Sequence, residues 1–201
     1  MIVGLTGGIG SGKSTVLTLF HQLGIPIVIS DEITRQLLTP EQPIFKIVVK
    51  HFGSQILNKD GSLHRTKLRS LIFKSIDERR FLETLLHPLV KAEILAKFSI
   101  LPPNSYGVVE IPLLIEANFQ DAVNRILVID CSEELQIQRA TQRDKTSLNE
   151  IKAILNSQAT RAERLSFADD VIDNNADLAS LKAKIIALNQ YYKELSSQIT
   201  K

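Results

Sequence analysis

The sequence predicts a doubly wound, mostly parallel α/β sheet that carries a helical insertion and a helical lid. Three observations carry that reading. Short β-branched runs alternate with segments of helical periodicity; the glycine-rich stretch Gly7-Gly8-Ile9-Gly10-Ser11-Gly12-Lys13-Ser14 follows the first run; and the long block 32–101 needs only helices and turns.

Taken in order, Ile2-Val3-Gly4-Leu5 reads as the first strand, and Val16, Leu17, Leu19, Phe20 and Leu23 mark a helix behind the glycine-rich loop. That helix should stop near Gly24, and Pro26 then introduces a second strand, Ile27-Val28-Ile29, with Ser30-Asp31 at its carboxyl end. In the block that follows, Leu82, Leu85, Leu86 and Leu89 recur at helical spacing, with turns at 40–43 and at Lys59-Asp60-Gly61-Ser62. Pro102-Pro103-Asn104-Ser105 closes it. Strand character resumes at Gly107-Val108-Val109-Glu110-Ile111 before Pro112, and again at Arg125-Ile126-Leu127-Val128-Ile129-Asp130, a continuous run suited to burial on both faces. Ser132 with Glu133 and Glu134 starts a helix that the 144–146 stretch breaks, and Ser147-Leu148-Asn149-Glu150 is a capping box expected to open a helix to about Arg164. Val171-Ile172-Asp173-Asn174 is a last short strand, and Leu178, Leu181, Ile185, Leu188, Tyr192 and Leu195 form the apolar stripe of a closing helix.

Composition narrows the function classes. The 201 residues are 44% hydrophobic and 23% charged, with 24 Lys and Arg against 22 Asp and Glu, as in an ordinary globular chain large enough for a sizeable core. A formal charge of +2 gives no general affinity for polyanions, so no nucleic-acid partner is expected and any basic site must be local. The single cysteine, Cys131, excludes an intramolecular disulfide and suits a reducing compartment. No basic segment precedes the apolar start and no run reaches membrane-spanning length, so a cytosolic protein with no membrane association is expected.

The glycine-rich stretch fits G-x-x-x-x-G-K-[ST] without a mismatch and lies between a strand and a helix, as phosphate binding requires. Main-chain N–H groups of Gly8, Ile9, Gly10, Ser11, Gly12, Lys13, Ser14 and Thr15 would turn toward phosphate oxygens at the positive end of the helix. Lys13 would reach the β- and γ-phosphates of a nucleoside triphosphate, and the Ser14 hydroxyl would bind Mg2+. No Asn-Lys-x-Asp base-reading motif accompanies the loop, which argues against a GTPase and for phosphoryl transfer to a small acceptor. Asp31, at a strand end beside the loop, suits either the acceptance of a hydroxyl proton or the capping of the next helix. Arg139 and Arg143 stand one helical turn apart, as a pair closing on polyphosphate would, and equally as a solvated face would. Glu110 and Asp130 both end strands and compete as the acid supporting Mg2+. Cys131 reads as a small buried residue, and the four histidines lack metal-ligand spacing.

Beyond the loop, several motifs recur in a fixed order. They are Asp31 four residues before Arg35, Phe52-Gly53, Asp60-Gly61-Ser62-Leu63-His64-Arg65, Leu86-His87-Pro88, Pro112-Leu113-Leu114-Ile115-Glu116, Arg143-Asp144, Ser157-Gln158-Ala159-Thr160-Arg161 and Ala168-Asp169-Asp170-Val171-Ile172-Asp173-Asn174. With Leu5-Thr6 and the loop, this series resembles the dephospho-CoA kinase family from residue 2 to about 190. The resemblance implies a P-loop kinase-type fold and ATP-dependent phosphorylation of the ribose 3′-hydroxyl of dephospho-CoA, the last step of coenzyme A synthesis. It also implies a nucleotide-binding core at 1–31, 102–135 and 165–201, a helical acceptor-binding domain at 32–101 and a lid at 136–164. Asp31 matches the family's proposed base; Thr6, Arg65, His87 and Glu116 fall in acceptor motifs, Arg139 and Arg143 in the lid, and Asn174 in the adenine-lining segment. The implied partners are the small molecules ATP and dephospho-CoA, with Mg2+ as cofactor and a monomer or weak homo-oligomer as the assembly. Three positions depart from the pattern: Ile29 replaces the first acid of Asp-Ala-Asp, His64 stands where Asn is usual, and Glu110 where Asp is common.

Overall fold

The computed structural model describes residues 1–145 and 147–198. The chain divides into two compact units, one made of Met1–Ile29 with the chain from Ile94 onward, the other of Ser30–Glu93.

In the first unit, β1 (Ile2–Thr6), β2 (Ile27–Ile29), β3 (Gly107–Glu110), β4 (Arg125–Asp130) and β5 (Asp170–Asp173) form one sheet in the order β2-β3-β1-β4-β5. Every pairing is parallel, as the uninterrupted apolar runs predict. The order puts β1 at the centre, with Leu5 opposite Glu110 of β3 on one side and Leu127 of β4 on the other. The loop that leaves β1 therefore opens at the carboxyl edge between two flanking strand ends, where doubly wound sheets bind ligands.

Helix α1 (Lys13–Gln22) buries Val16, Leu17, Leu19 and Phe20. These pack in one cluster with Val3, Leu5, Val108, Leu127 and Ile129 of the sheet and with Leu181, Ile185 and Tyr192 of α9 (Leu178–Gln198), so α1 and α9 share the core and hold β1 in place. Each such large apolar side chain contributes about 1.5–3 kcal/mol on burial. The polar atoms that enter this core are satisfied: the Tyr106 hydroxyl donates to Asn189 Oδ1 at 2.7 Å and the Tyr192 hydroxyl to Asp170 Oδ2 at 2.8 Å.

Three further helices belong to this unit: α6 (Glu133–Asp144), α7 (Leu148–Ser157) and α8 (Arg161–Ser166). Ser132 caps α6 by accepting from Leu135 N, and α6 ends where Lys145 turns left-handed at φ 50. Thr146, the last residue of the expected break, lies outside the described residues. The capping box of Ser147 and Glu150 opens α7 as expected, but the helix stops at Ser157 instead of running to Arg164. A second capping box explains the stop. Thr160 Oγ1 accepts from Glu163 N at 3.2 Å while Glu163 Oε2 accepts from Thr160 N at 2.7 Å, which starts α8 afresh. Between the helices Gln158 is extended, at φ −91 and ψ 159.

The second unit is helical. Helix α2 (Ser30–Leu37), α3 (Pro43–Phe52), α4 (Arg65–Lys74) and the first part of α5 (Ile76–Ser99) surround a core that includes Phe45, Val48, Phe52, Ile56, Leu68, Leu82 and Leu86. The turn read at 59–62 is closed by Asp60, whose Oδ1 accepts from Ser62 N at 3.0 Å. His64, where Asn is usual in the resembling motif, caps α4 by accepting from Lys67 N at 3.4 Å. Helix α5 continues through Pro88, which has no N–H to offer the carbonyl of Thr84.

Candidate active site

The loop between β1 and α1 is shaped by glycines that no other residue could replace at two points. Gly12, the N-cap of α1, has φ 100, and a Cβ there would run into the Asn174 side chain; Gly10, at φ 73, lies against the main chain of Gln136. Inside the loop Ser11 N donates to Gly8 O at 3.2 Å. Lys13 Nζ donates to Gly7 O at 2.8 Å and Gly8 O at 3.1 Å, so the ammonium rests on the loop that its own helix begins. Ser14 and Thr15, on the first turn of α1, are exposed.

Asn174 follows β5 directly and ties three pieces together. Its Nδ2 donates to Ser11 O at 2.8 Å, its N–H donates to Asp130 O at 2.7 Å, and its carbonyl accepts from Arg139 Nη2 at 3.1 Å. A cavity of about 200 Å³ opens beside this junction, lined by Gly12, Thr15, Arg139, Asn174, Ala176 and two leucines, Leu178 and Leu181. Its wall is apolar toward α9 and polar toward the loop, which suits a flat heterocycle with edge donors and acceptors. Arg139 Nη1 and Ser11 Oγ are buried with no hydrogen-bond partner among the described residues, so the site holds polar groups that await one.

The other acids and bases fall into distinct places. Asp130 is occupied: Arg161 Nε and Nη2 approach its oxygens at 2.6–3.0 Å. Glu110 ends β3, in register with Leu5 of β1 and Ile29 of β2. Arg143 makes a forked pair with its neighbour Asp144 at 2.7 and 2.8 Å on the surface, while Arg139 turns to Asn174, so the two guanidinium groups have different partners. Thr6 is buried and its hydroxyl donates to Pro112 O at 3.2 Å. Glu116 Oε1 accepts from Ala159 N at 2.7 Å. Burial pushes the Cys131 thiol up from its ordinary value, in keeping with an inert packed residue. Asp31, in the first turn of α2, and Arg65, which opens α4, are exposed in the second unit; His87, on α5 of that unit, is half-buried, and burial holds its imidazole below the usual histidine range.

Sequence reasoning assigned no role to Gln158, Arg161 or Arg164, which the structure brings against the loop and the strand ends. Ile9 N donates to Gln158 Oε1 at 3.0 Å, and the buried Arg164 donates Nη1 to Ala159 O. The Ser157-Gln158-Ala159-Thr160-Arg161 motif of the resemblance marks this segment without giving its residues roles, and the Thr160-x-x-Glu163 spacing is the local signal that could have placed it.

A polyphosphate fits these residues, given a glycine-rich loop, an ammonium resting on it and a helix N-terminus at its end. Among the described residues no group of three or more His, Cys, Asp or Glu could hold a metal ion. The exposed Ser14 hydroxyl suits a cation shared with phosphate oxygens, which is how Mg2+ is commonly held beside nucleotides.

A sequence model of dephospho-CoA kinases matches residues 1–180. The chain belongs to the dephospho-CoA kinase family. Similar family members include the dephospho-CoA kinase of Methylococcus capsulatus, 45% identical with 98% of this chain and 99% of that one covered. That of Mannheimia succiniciproducens is 43% identical, with 98% and 94% covered. Among solved structures, the dephospho-CoA kinase from Campylobacter jejuni superposes with a TM-score of 0.73 at 29% identity over 96% of this chain and 97% of that one. The TT1252 protein from Thermus thermophilus gives 0.81 at 28% over 94% and 95%. A shikimate kinase from Acinetobacter baumannii, at 0.52 and 19% over 93% and 91%, shares the fold.

Proposed function

We propose that this chain transfers the terminal phosphoryl group of ATP to the ribose 3′-hydroxyl of dephospho-CoA, giving coenzyme A and ADP. The observation that carries the reading is family membership over residues 1–180 together with a complete phosphate loop at the central strand. In this reading the loop amides between Gly8 and Thr15, apart from Ile9 N and Ser11 N, which bond to Gln158 and Gly8, hold the phosphates together with the Lys13 ammonium, and the cavity beside Asn174 takes the adenine. Ser14 holds Mg2+, whose charge offsets that of the phosphate oxygens and of the leaving group. Glu110 or Asp130, the latter paired with Arg161, would support that ion through water.

Asp31 accepts the proton of the 3′-hydroxyl as its oxygen bonds to the γ-phosphorus, and the bond from that phosphorus to the β–γ bridging oxygen breaks to release ADP. Thr6, Arg65, His87 and Glu116 belong to the acceptor side, Thr6 and Glu116 through the main-chain segments they hold. Arg139 and Arg143, once released from the Asn174 carbonyl and from Asp144, meet the charge that spreads over the equatorial oxygens. Residues 136–164 act as a lid that excludes water from the reaction. A cytosolic location, an acceptor-binding role for the helical unit and a monomeric or weakly associating chain belong to the same proposal.

The test follows ADP release by purified protein with Mg-ATP and dephospho-CoA, a series of nucleoside monophosphates, or no acceptor. Release that depends on dephospho-CoA supports the assignment. Turnover only with a monophosphate, or none with any acceptor, rejects it.

A further inference from the structure

The peptide that joins Gly8 to Ile9 is held at both ends by side chains. Its carbonyl oxygen accepts from Lys13 Nζ at 3.1 Å, and its N–H donates to Gln158 Oε1 at 3.0 Å. In a trans peptide these two groups point in opposite directions, so Lys13 and Gln158 grip one plane from opposite sides. Gly8 precedes that plane and has no Cβ to restrict its rotation; Ser11 N adds a main-chain hydrogen bond at the carbonyl end, so on the N–H side the orientation depends on Gln158. A reversed peptide would aim an N–H at the Lys13 ammonium and leave it only the Gly7 carbonyl.

Gln158 is itself anchored. The next residue, Ala159, donates its N–H to Glu116 Oε1 at 2.7 Å and accepts at its carbonyl from Arg164 Nη1. Arg164 is only 6% exposed, and a Cβ built on Gly8 would come within 3.0 Å of its Nη2. The short connection between α7 and α8 thus meets the phosphate loop through Gln158 at Ile9, while Arg164 of α8 lies near Gly8.

We propose that Gln158 is a positioning residue of the nucleotide site, one that sets the Gly8–Ile9 peptide and, through it, the place of Lys13 before a nucleotide arrives. The proposal rests on the loop being the phosphate site of the function proposed above. Losing one hydrogen bond to a main-chain amide corresponds to about a five- to tenfold change in affinity for a phosphate-bearing ligand.

The experiment compares wild type with Gln158→Leu and Gln158→Glu, all full-length. Calorimetry reads the affinities of ATP, ADP and adenosine, and hydrogen exchange reads the Ile9 amide. In Gln158→Leu the Ile9 amide should exchange faster, and ATP and ADP should bind about five- to tenfold more weakly, with adenosine affinity unchanged. Gln158→Glu, which keeps an acceptor, should keep Ile9 protected. Nucleotide affinities within twofold of wild type in Gln158→Leu, an equal loss for adenosine, or an unprotected Ile9 in Gln158→Glu would each overturn the proposal. These readings need no phosphoryl transfer, so a wild-type protein that binds ATP but leaves dephospho-CoA unchanged would remove the proposed reaction and leave this result standing.

Discussion

Asn174 donates its side-chain Nδ2 to the main-chain oxygen of Ser11 at 2.8 Å, joining the residue after the last strand to the loop after the first, 163 positions apart. Because Arg139 in turn donates to the Asn174 carbonyl, the phosphate loop, the end of β5 and helix α6 are fastened at one point beside the cavity.

Replacing Asn174 by alanine leaves the buried Ser11 carbonyl without that donor and should cost about 1–2 kcal/mol, or roughly 2–8 °C in melting temperature. The affinity for ATP should fall with it. A scanning-calorimetry trace and an ATP titration check both, and a variant that melts and binds as wild type would detach Asn174 from the site.

Gly12→Ala forces a side chain into the left-handed region and into the Asn174 amide. Strain alone is about 1–3 kcal/mol. Urea unfolding should show that loss, and nucleotide binding should fall more than stability explains, since the altered residue caps the helix that faces the phosphates.

His87 links stability to pH. Burial lowers its pKa in the folded state, so the unfolded chain binds the proton more readily. The stabilisation is fully present above the ordinary value of 6.5 and is lost as pH falls below it toward the folded-state value. A His87→Gln variant should therefore show a flatter dependence of melting temperature on pH below 6.5 than wild type. Parallel curves for the two proteins would contradict the assignment.

Asp31 and Lys13 should separate in kinetics. Asp31→Asn should lower kcat by about 10²–10⁴ with the KM for ATP nearly unchanged, because a general base acts mainly in the transition state. Lys13→Ala should raise that KM and lower kcat together. An Asp31→Asn enzyme with normal kcat would remove Asp31 as the base.

Much of the fold was legible in the sequence for local reasons. A strand buried on both faces needs an unbroken apolar run, which is why Arg125–Asp130 is found at its expected bounds. The capping box at Ser147 and Glu150 is a contact within three residues, and it formed as read. The break at Gln158 goes unread when the Ser147–Glu150 box alone is taken as a helix start, although the Thr160–Glu163 box is an equally local signal. What could not be read is pairing across distance. Sequence leaves Asp130 and Glu110 equivalent as strand-end acids, and only the fold brings Arg161, 31 residues on, against Asp130. Nor does sequence show that Gln158 reaches Ile9, since that contact spans 149 residues and depends on where the α7–α8 connection lies.

The most direct measurement is phosphorus NMR of the product formed from Mg-ATP and dephospho-CoA. A new phosphomonoester resonance on the ribose 3′-oxygen, appearing in step with ADP and only when both substrates are present, is the expected result. ADP formation that proceeds without the acceptor, or a phosphate attached elsewhere on the molecule, would contradict the proposed reaction.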